Sequence, residues 1–377
     1  VTPTPVPYTE LPFDALWDSP GIGSTPAGAE PSDAPWHLPW DRLPAADAAA
    51  VRAGLESRSY VFRTSGSTAE PVSRILSGAR LSADSTQLAR LVDPYAPQAV
   101  VSFAPVRHAY GASATMLLPA VTGLPVWFWP TFDCPPPIVP AARIVVVAIP
   151  WTFRILRRHP RWLASFEHIT FLHSSAELPP EARELYDGER TAVVEVLGST
   201  ETSAVAHRHG WDPSGPWTLF DDVTIASPTP DAGSNPPNTA DGVPLTVSGP
   251  RLAALPDGSH PAFHELDDLI RPLDDRRFLR LGRRAHLVKV NGVRHDLNGI
   301  AARLRAALDC ADVACVRVPD PLRGETYDVL IAGGTGLTED AVRATARDLG
   351  AAPREIRLVD RVPRSSLGKP LAPRATS

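Results

Sequence analysis

The sequence predicts an α/β protein: a large N-terminal α/β domain with a β subdomain, followed by a small α+β C-terminal domain. Three observations carry this. First, short apolar runs rich in β-branched residues recur at 59–63, 99–103, 125–129, 143–149, 168–173 and 192–197. They are nearly continuous, which suits strands buried on both faces. Second, helix-compatible stretches separate them at 82–92, 110–121, 152–159 and 179–186, and such alternation gives a mainly parallel sheet. Third, the character changes twice. From 213 to 263, Gly, Pro and Asp interrupt short strands such as 244–248, as in a β subdomain. After Gly282 a smaller unit begins.

Residues 1–58 carry scattered Trp and Pro with weak periodicity. They predict loops and one short helix near 45–55, packed on the domain that follows. In the C-terminal unit, Leu297, Ile300, Leu304 and Leu308 form one face at helical spacing, and Asp296 is placed to cap that helix. A second helix starts near Thr338, with Glu339 and Asp340 in its first turn, where the helix dipole favours them. Proline is abundant at 42 residues and concentrates at 134–140 and 227–237, which predicts stiff surface connections.

Composition narrows the function. The chain has 377 residues, 43% hydrophobic and 21% charged, an ordinary globular balance. A formal net charge of −5 with scattered basic residues argues against nucleic acid as a partner. The densest basic cluster, at 276–284, is interrupted by apolar residues and reads as strands with solvated faces. Three cysteines, Cys134, Cys310 and Cys315, are too few for a disulfide framework and point to a reducing, cytoplasmic setting. No segment is apolar enough for a membrane span, and the first residues lack the pattern of a signal peptide.

Four segments carry chemistry. TSGSTAEP at 64–71 puts Thr64, Ser65, Gly66, Ser67 and Thr68 between two predicted strands. Backbone N–H groups and hydroxyls there can wrap a polyphosphate, although the segment alone is equally a Ser/Thr turn. GSTE at 198–201 follows a predicted strand directly, where α/β sheets bind ligands. Glu201 could hold Mg²⁺, which favours carboxylate and phosphate oxygens together. Thr200 could bond a phosphate or a substrate carboxylate. The alternative for this segment is an N-cap of a following helix. GRRAHLVKVNGVR at 282–294 follows Asp268 and holds Arg283, Lys289 and Gly292. PRSSLGKP at 363–370 puts Lys369 in a Pro- and Gly-bearing loop. Its compact charge suits a developing phosphoryl anion; taken alone, Lys369 reads as a solvated tail residue.

Together, in this order, the segments resemble the adenylate-forming superfamily of acyl-CoA synthetases, adenylation domains of nonribosomal peptide synthetases and luciferases. Residues 64–71 look like its phosphate loop and 198–201 like its Gly-x-Thr-Glu motif. Asp268 with 282–294 looks like the ribose-binding Asp, hinge and first C-domain motif, and 363–370 like the catalytic-lysine loop. HSSAEL at 173–178 resembles the segment lining adenine, and PVRHAYG at 105–111 the motif opening the acid pocket. The resemblance runs from about Tyr60 to the end. It departs from the pattern at Ala69 and Val72, where the phosphate loop has Gly and Lys. It departs again at Ser174-Ser175 for Gly-Gly, at Leu197 for an aromatic and at Ala285 for an acid. The phosphate loop falls early, which suggests a shortened first lobe.

The resemblance implies an N-terminal ATP- and acid-binding domain at 1–281 and a small mobile C-terminal lid at 282–377. It implies ATP and Mg²⁺ as cofactors, with Lys369, Thr200 and Glu201 catalytic and Glu201 the metal ligand. Thr64, Ser65, Gly66, Ser67, Thr68, Ser174, Ser175, Ala176, Leu197, Gly198, Ser199, Asp268 and Arg283 would bind ATP. His108, Ala109, Gly111 and Val196 would line the acid pocket, and Lys289 and Gly292 a thiol channel. The implied partners are a small carboxylic acid and then CoA or an acyl carrier protein. Residues 103–111 contain no carboxylate to hold an α-ammonium group, which favours an aryl or aliphatic acid. An amine acceptor, or a non-catalytic nucleotide-binding descendant, is the alternative.

Overall fold

The computed structural model describes residues 8–13, 34–63, 73–130, 134–212, 214–226, 242–255, 257–290, 293–320, 324–334, 336–349 and 352–364. The chain divides into two compact units. The first comprises Val1–Pro228, Thr246–His264 and Asp275–Arg277, and the second Thr229–Leu245, Glu265–Asp274 and Phe278–Ser377.

The first unit is built on β1 (Thr9–Glu10), β2 (Trp36–Leu38), β3 (Ser59–Arg63), β4 (Ser73–Ser77), β5 (Ala99–Ser102), β6 (Val126–Phe128) and β7 (Arg143–Ala148). It continues with β8 (His168–His173), β9 (Thr191–Ser199), β10 (Ser203–His209), β11 (Trp217–Leu219) and β12 (Thr224–Ile225), which pairs with the end of β13 (Val243–Ser248). The central sheet runs β1-β2-β6-β5-β7-β8-β9-β10-β11. Strands β6, β5, β7, β8 and β9 are mutually parallel, while β2 and β10 run antiparallel at either side. Every residue of β5 and β8 is buried, and β7 is buried from Ile144 on. That is why these strands read as unbroken apolar runs without alternation. β3 and β4 form a separate antiparallel pair, with Arg63 opposite Ser73.

The helices are α1 (Ala45–Glu56), α2 (Gly78–Val92), α3 (Ala109–Gly111), α4 (Leu118–Thr122), α5 (Thr152–Leu156), α6 (Pro160–Ala164) and α7 (Glu181–Leu185). Ser77 caps α2 by accepting from the Arg80 N–H, and Leu81, Ser85, Leu88 and Val92 form its buried face. Two expected helices differ in detail. The stretch predicted at 110–121 is interrupted by a fully buried π-helical segment, Ala112–Leu117. The Ser85 hydroxyl reaches the Ser113 carbonyl there (2.8 Å) and competes with the regular ladder. The stretch predicted at 152–159 ends early, at Leu156, and His159, the residue before Pro160, leaves the helical region at φ −123° and ψ 52°. The alternating His207 and His209 read from the sequence as part of a loop; they lie instead on β10, opposite Val196 and Val194 of β9.

The second unit contains the antiparallel hairpin β14 (His264–Pro272) and β15 (Arg277–Arg283), then β16 (Leu287–Val290) paired with β17 (Val293–Asp296). After α8 (Leu297–Ala307) come β18 (Asp312–Asp320), β19 (Gly324–Ala332), α9 (Glu339–Asp348) and β20 (Ile356–Val359). β18 and β19 are antiparallel, and α9 carries the chain to β20, parallel to β19. Asp296 accepts from the Asn298 N–H (3.1 Å), so the predicted cap forms, and Thr338, where the second helix was expected to start, caps it by accepting from the Ala341 N–H (3.3 Å). Leu297, Ile300 and Leu304 are buried against Val313, Tyr327, Val329 and Ile331.

Candidate active site

The parallel strands of the first unit point their C-terminal ends to one edge, where open α/β sheets take ligands. Three of the predicted segments emerge there. After β5 the chain turns through 103–108 into α3, placing His108 at the helix N-terminus and Ala109 in its first turn. Gly111 is needed for a close approach. A Cβ there would stand 1.9 Å from the Pro105 carbonyl oxygen. Tyr110 is half-buried, its hydroxyl donating to the Leu172 carbonyl (2.6 Å), and desolvation lifts its pKa well above that of an ordinary phenol. The segment 105–111 is thereby pinned to β8.

β8 ends in His173, followed by Ser174, Ser175 and Ala176. Burial first, and the Arg208 charge second, push the His173 imidazole down to about 3, so it is neutral throughout the physiological range. Ser174 is buried and its hydroxyl donates to the Val196 carbonyl (2.9 Å), joining the end of β8 to β9. Ser175 has φ 82°, a left-handed conformation that β-carbon sterics disfavour. Ala176 is exposed.

β9 delivers Val196 and Leu197, both buried, and then turns sharply. No helix follows, so the N-cap alternative for 198–201 is ruled out; β10 returns antiparallel, with Ser203 opposite Ser199. Gly198 permits this turn. A Cβ there would stand 2.2 Å from the Ser203 carbonyl oxygen. Two hydroxyls hold the turn. Thr202 Oγ1 accepts from the Ser199 N–H (3.1 Å), and Ser199 Oγ from the Glu201 N–H (3.2 Å). Thr200 lies half-buried at the tip. The Glu201 carboxylate lies 3.5 Å from Arg74 Nε, and both side chains are about one-fifth exposed (19% and 18%).

The turn is also tied from below. The Ala253 N–H donates to the Glu201 carbonyl (2.8 Å), and the Ala254 N–H to Ile75 on β4 (3.1 Å). Two residues earlier, Arg251 is 2% exposed. It donates to Asp84 (2.5 Å) and, with two nitrogens, to Asp222 (2.7 and 2.8 Å). Asp84 also accepts from the Ala204 N–H (2.9 Å), and the Arg251 carbonyl accepts from the Ser203 hydroxyl (3.2 Å). Burial would raise the Asp222 carboxyl, yet the Arg251 hydrogen bonds and charge hold it below the usual range.

In the second unit, Asp268 is 2% exposed. Arg280 Nε reaches it at 2.6 Å, while Arg283, its cross-strand neighbour, stands at 3.8 Å. The basic cluster at 276–284 is thus partly drawn into ion pairs. Arg284 adds one to Glu265 at 2.8 Å. Lys289 sits on β16 opposite Arg294 of β17. Thr64, Ser65, Gly66, Ser67, Thr68, Gly292 and Lys369 lie outside the described residues. Sequence reasoning missed Thr202, Arg74, Arg251, Asp84 and Arg280. Of these, only Thr202 carried a local signal, as the second threonine of GSTET.

The donor set suits Mg²⁺. Among the described residues no group of three or more His, Cys, Asp or Glu converges. Glu201 offers carboxylate oxygen, the donor type that Mg²⁺ takes together with phosphate and water.

A parallel sheet with three polar turns at its carboxyl edge defines an α/β protein of the kind that takes its ligand there. The AMP-binding enzyme family matches residues 17–237. The chain belongs to that family, within the adenylate-forming (ANL) superfamily. ATP-bound MatB from Rhodopseudomonas palustris superposes with a TM-score of 0.63 at 20% identity, over 82% of this chain and 66% of that one. The o-succinylbenzoate CoA synthetase MenE from Bacillus subtilis, complexed with its acyl-adenylate intermediate, gives 0.64 at 16% identity, over 84% and 68%. The amide bond synthetase McbA from Marinactinospora thermotolerans gives 0.59 at 18%, over 82% and 67%. The chain thus spans about two thirds of the length of these proteins. Among the described residues no helix is long and apolar enough to cross a membrane.

Proposed function

We propose that the chain activates a carboxylic acid with ATP, forming an acyl-AMP and pyrophosphate, and passes the acyl group to a thiol of CoA or a carrier protein. The observation that carries this is the Glu201 turn. It stands at the carboxyl edge of the sheet, bonded through Ala253 and Ala254 to β4, the strand that follows residues 64–72. Membership of the family and the acyl-adenylate complex of MenE support the first half-reaction. The CoA synthetase activity of MenE supports the second.

In the first step a carboxylate oxygen attacks the α-phosphorus in line, and the bond to the departing pyrophosphate breaks. Positioning and electrostatics supply the rate. Lys369 neutralises charge building on the carboxylate and α-phosphate. Thr200 and residues 64–68 hold phosphate oxygens, Ser174, Ser175 and Ala176 border adenine, and Asp268, oriented by Arg280, takes the ribose hydroxyls. Mg²⁺, held by Glu201, would screen the charge of the phosphates. His108, Ala109, Gly111 and Val196 border the acid, an aryl or aliphatic one, since residues 103–111 hold no carboxylate. In the second step a thiol sulfur attacks the acyl carbon and AMP leaves. The C-terminal domain, 282–377, rotates between the steps and brings Lys289 and Gly292 toward the thiol. The three cysteines, all present as thiols, fit a cytoplasmic setting.

The test is pyrophosphate exchange across a panel of acids. Lys369→Ala should lower exchange ~10²–10³-fold, the scale of one lost transition-state contact. Near-normal exchange in that variant would overturn the assignment.

A further inference from the structure

Arg74 is the second residue of β4, paired with Phe62 across the hairpin whose strand ends bracket residues 64–72. Its guanidinium is unlike those of Arg251 and Arg208, two other arginines of the first unit that are mostly covered. Arg251 grips Asp222 with two nitrogens at 2.7 and 2.8 Å, and Arg208 Nε meets Glu195 at 2.5 Å. Arg74 Nε stands 3.5 Å from the Glu201 carboxylate, too far for a hydrogen bond of ordinary strength. That Nε is buried and, among the described residues, has no hydrogen-bond partner.

A guanidinium carries five N–H donors in a rigid planar fork. When it serves only to clamp a carboxylate, the fork closes on both oxygens at short range. Here the fork stays open, and its side chain and that of Glu201 are both partly accessible, 18% and 19%. A buried donor without an acceptor calls for an acceptor that the protein does not itself provide. The chemistry that suits a planar cationic fork is an oxyanion, and phosphate foremost.

We infer that Arg74 is a further nucleotide-binding residue, whose guanidinium, anchored beside Glu201, donates to the pyrophosphoryl portion of ATP. This rests on the adenylation assignment for the identity of the nucleotide. It also accounts for a charge: Val72 places no cation in the segment preceding β4, and Arg74 supplies one two residues later. A purely structural pair would staple β4 to the turn and be indifferent to the length of the phosphate chain.

Phosphate length is therefore the experimental variable. ATP and AMP binding are measured by titration calorimetry with Mg²⁺ on the wild type, Arg74→Gln and Arg74→Lys, together with their thermal midpoints. Loss of a charge-assisted contact predicts that Arg74→Gln weakens ATP by roughly ten- to hundredfold. AMP should change by less than about twofold, and Arg74→Lys should fall between for ATP. Equal loss of ATP and AMP, or no loss of either, overturns the inference. Should Arg74→Gln not fold, the same comparison on Arg74→Lys decides it. Wild-type pyrophosphate exchange separates the two claims. Selective ATP loss in a chain that exchanges with no acid leaves Arg74 a polyphosphate contact and removes the adenylation assignment. Exchange in the wild type with equal ATP and AMP shifts in the variants does the reverse.

Discussion

Replacing Arg251 by leucine should be among the most damaging single changes in the first unit. The guanidinium is 2% exposed and compensates two carboxylates, Asp84 at 2.5 Å and Asp222 at 2.7 Å. Asp84 is itself 5% exposed. Leucine would leave a buried carboxylate with no counter-charge, a change that costs about 3–5 kcal/mol. For a unit of this size that lowers the thermal midpoint by roughly ten degrees. The damage should extend to the site, because Ser203 donates to the Arg251 carbonyl and Ala253 donates to Glu201. Calorimetric unfolding of the wild type and Arg251→Leu measures the first effect, and pyrophosphate exchange below the new midpoint the second. Asp84→Asn removes the charge that leucine strands. Arg251→Leu should therefore cost less in that background than in the wild type, by about 1 kcal/mol or more. An Arg251→Leu variant within about 1 kcal/mol of the wild type would refute the idea that this triad supports the turn.

Three further outcomes follow from local geometry. Gly198→Ala should cost about 1–3 kcal/mol and depress exchange, because the added Cβ meets the Ser203 carbonyl at 2.2 Å and that backbone must shift; urea unfolding and exchange read both. Ser175→Gly should raise stability by about 1 kcal/mol, since φ 82° suits glycine and strains serine; an unchanged or lowered urea midpoint would contradict this. His173 is neutral when folded, its pKa about 3 against 6.5 in the unfolded chain. The unfolded state therefore binds the extra proton, and stability complete above pH ~6.5 is lost as pH falls toward 3. The difference in unfolding free energy between pH 7 and pH 4.5 should shrink by roughly 2–3 kcal/mol in His173→Gln.

Much of the architecture was legible because its signals are local. β5, β7 and β8 are buried on both faces, so their apolar runs announce them without reference to any partner. The cap Asp296 and the helix start near Thr338 depend on residues within three positions of themselves, and both are where the sequence placed them. Elements that depend on a remote contact were misjudged. His207 and His209 belong to a strand because β9 and β11 flank them. The π-helical turn at Ala112–Leu117 owes its geometry in part to Ser85 on another helix. The departure of His159 from the helical region was the exception, readable in principle from Pro160 alone.

The candidate site divides along the same line. The order and chemistry of its motifs, GSTE above all, reside in contiguous residues, because a turn that presents a carboxylate to a ligand is built from neighbours. The sequence alone therefore determined the family and the place of Glu201 directly after a strand. Tertiary structure alone decided what stands around it. Arg74 lies on another hairpin, Arg251 and Asp84 are 167 positions apart, and Arg280 rather than Arg283 makes the short bond to Asp268. Those pairings come from strand register and burial, where charges must find partners wherever the chain has brought them.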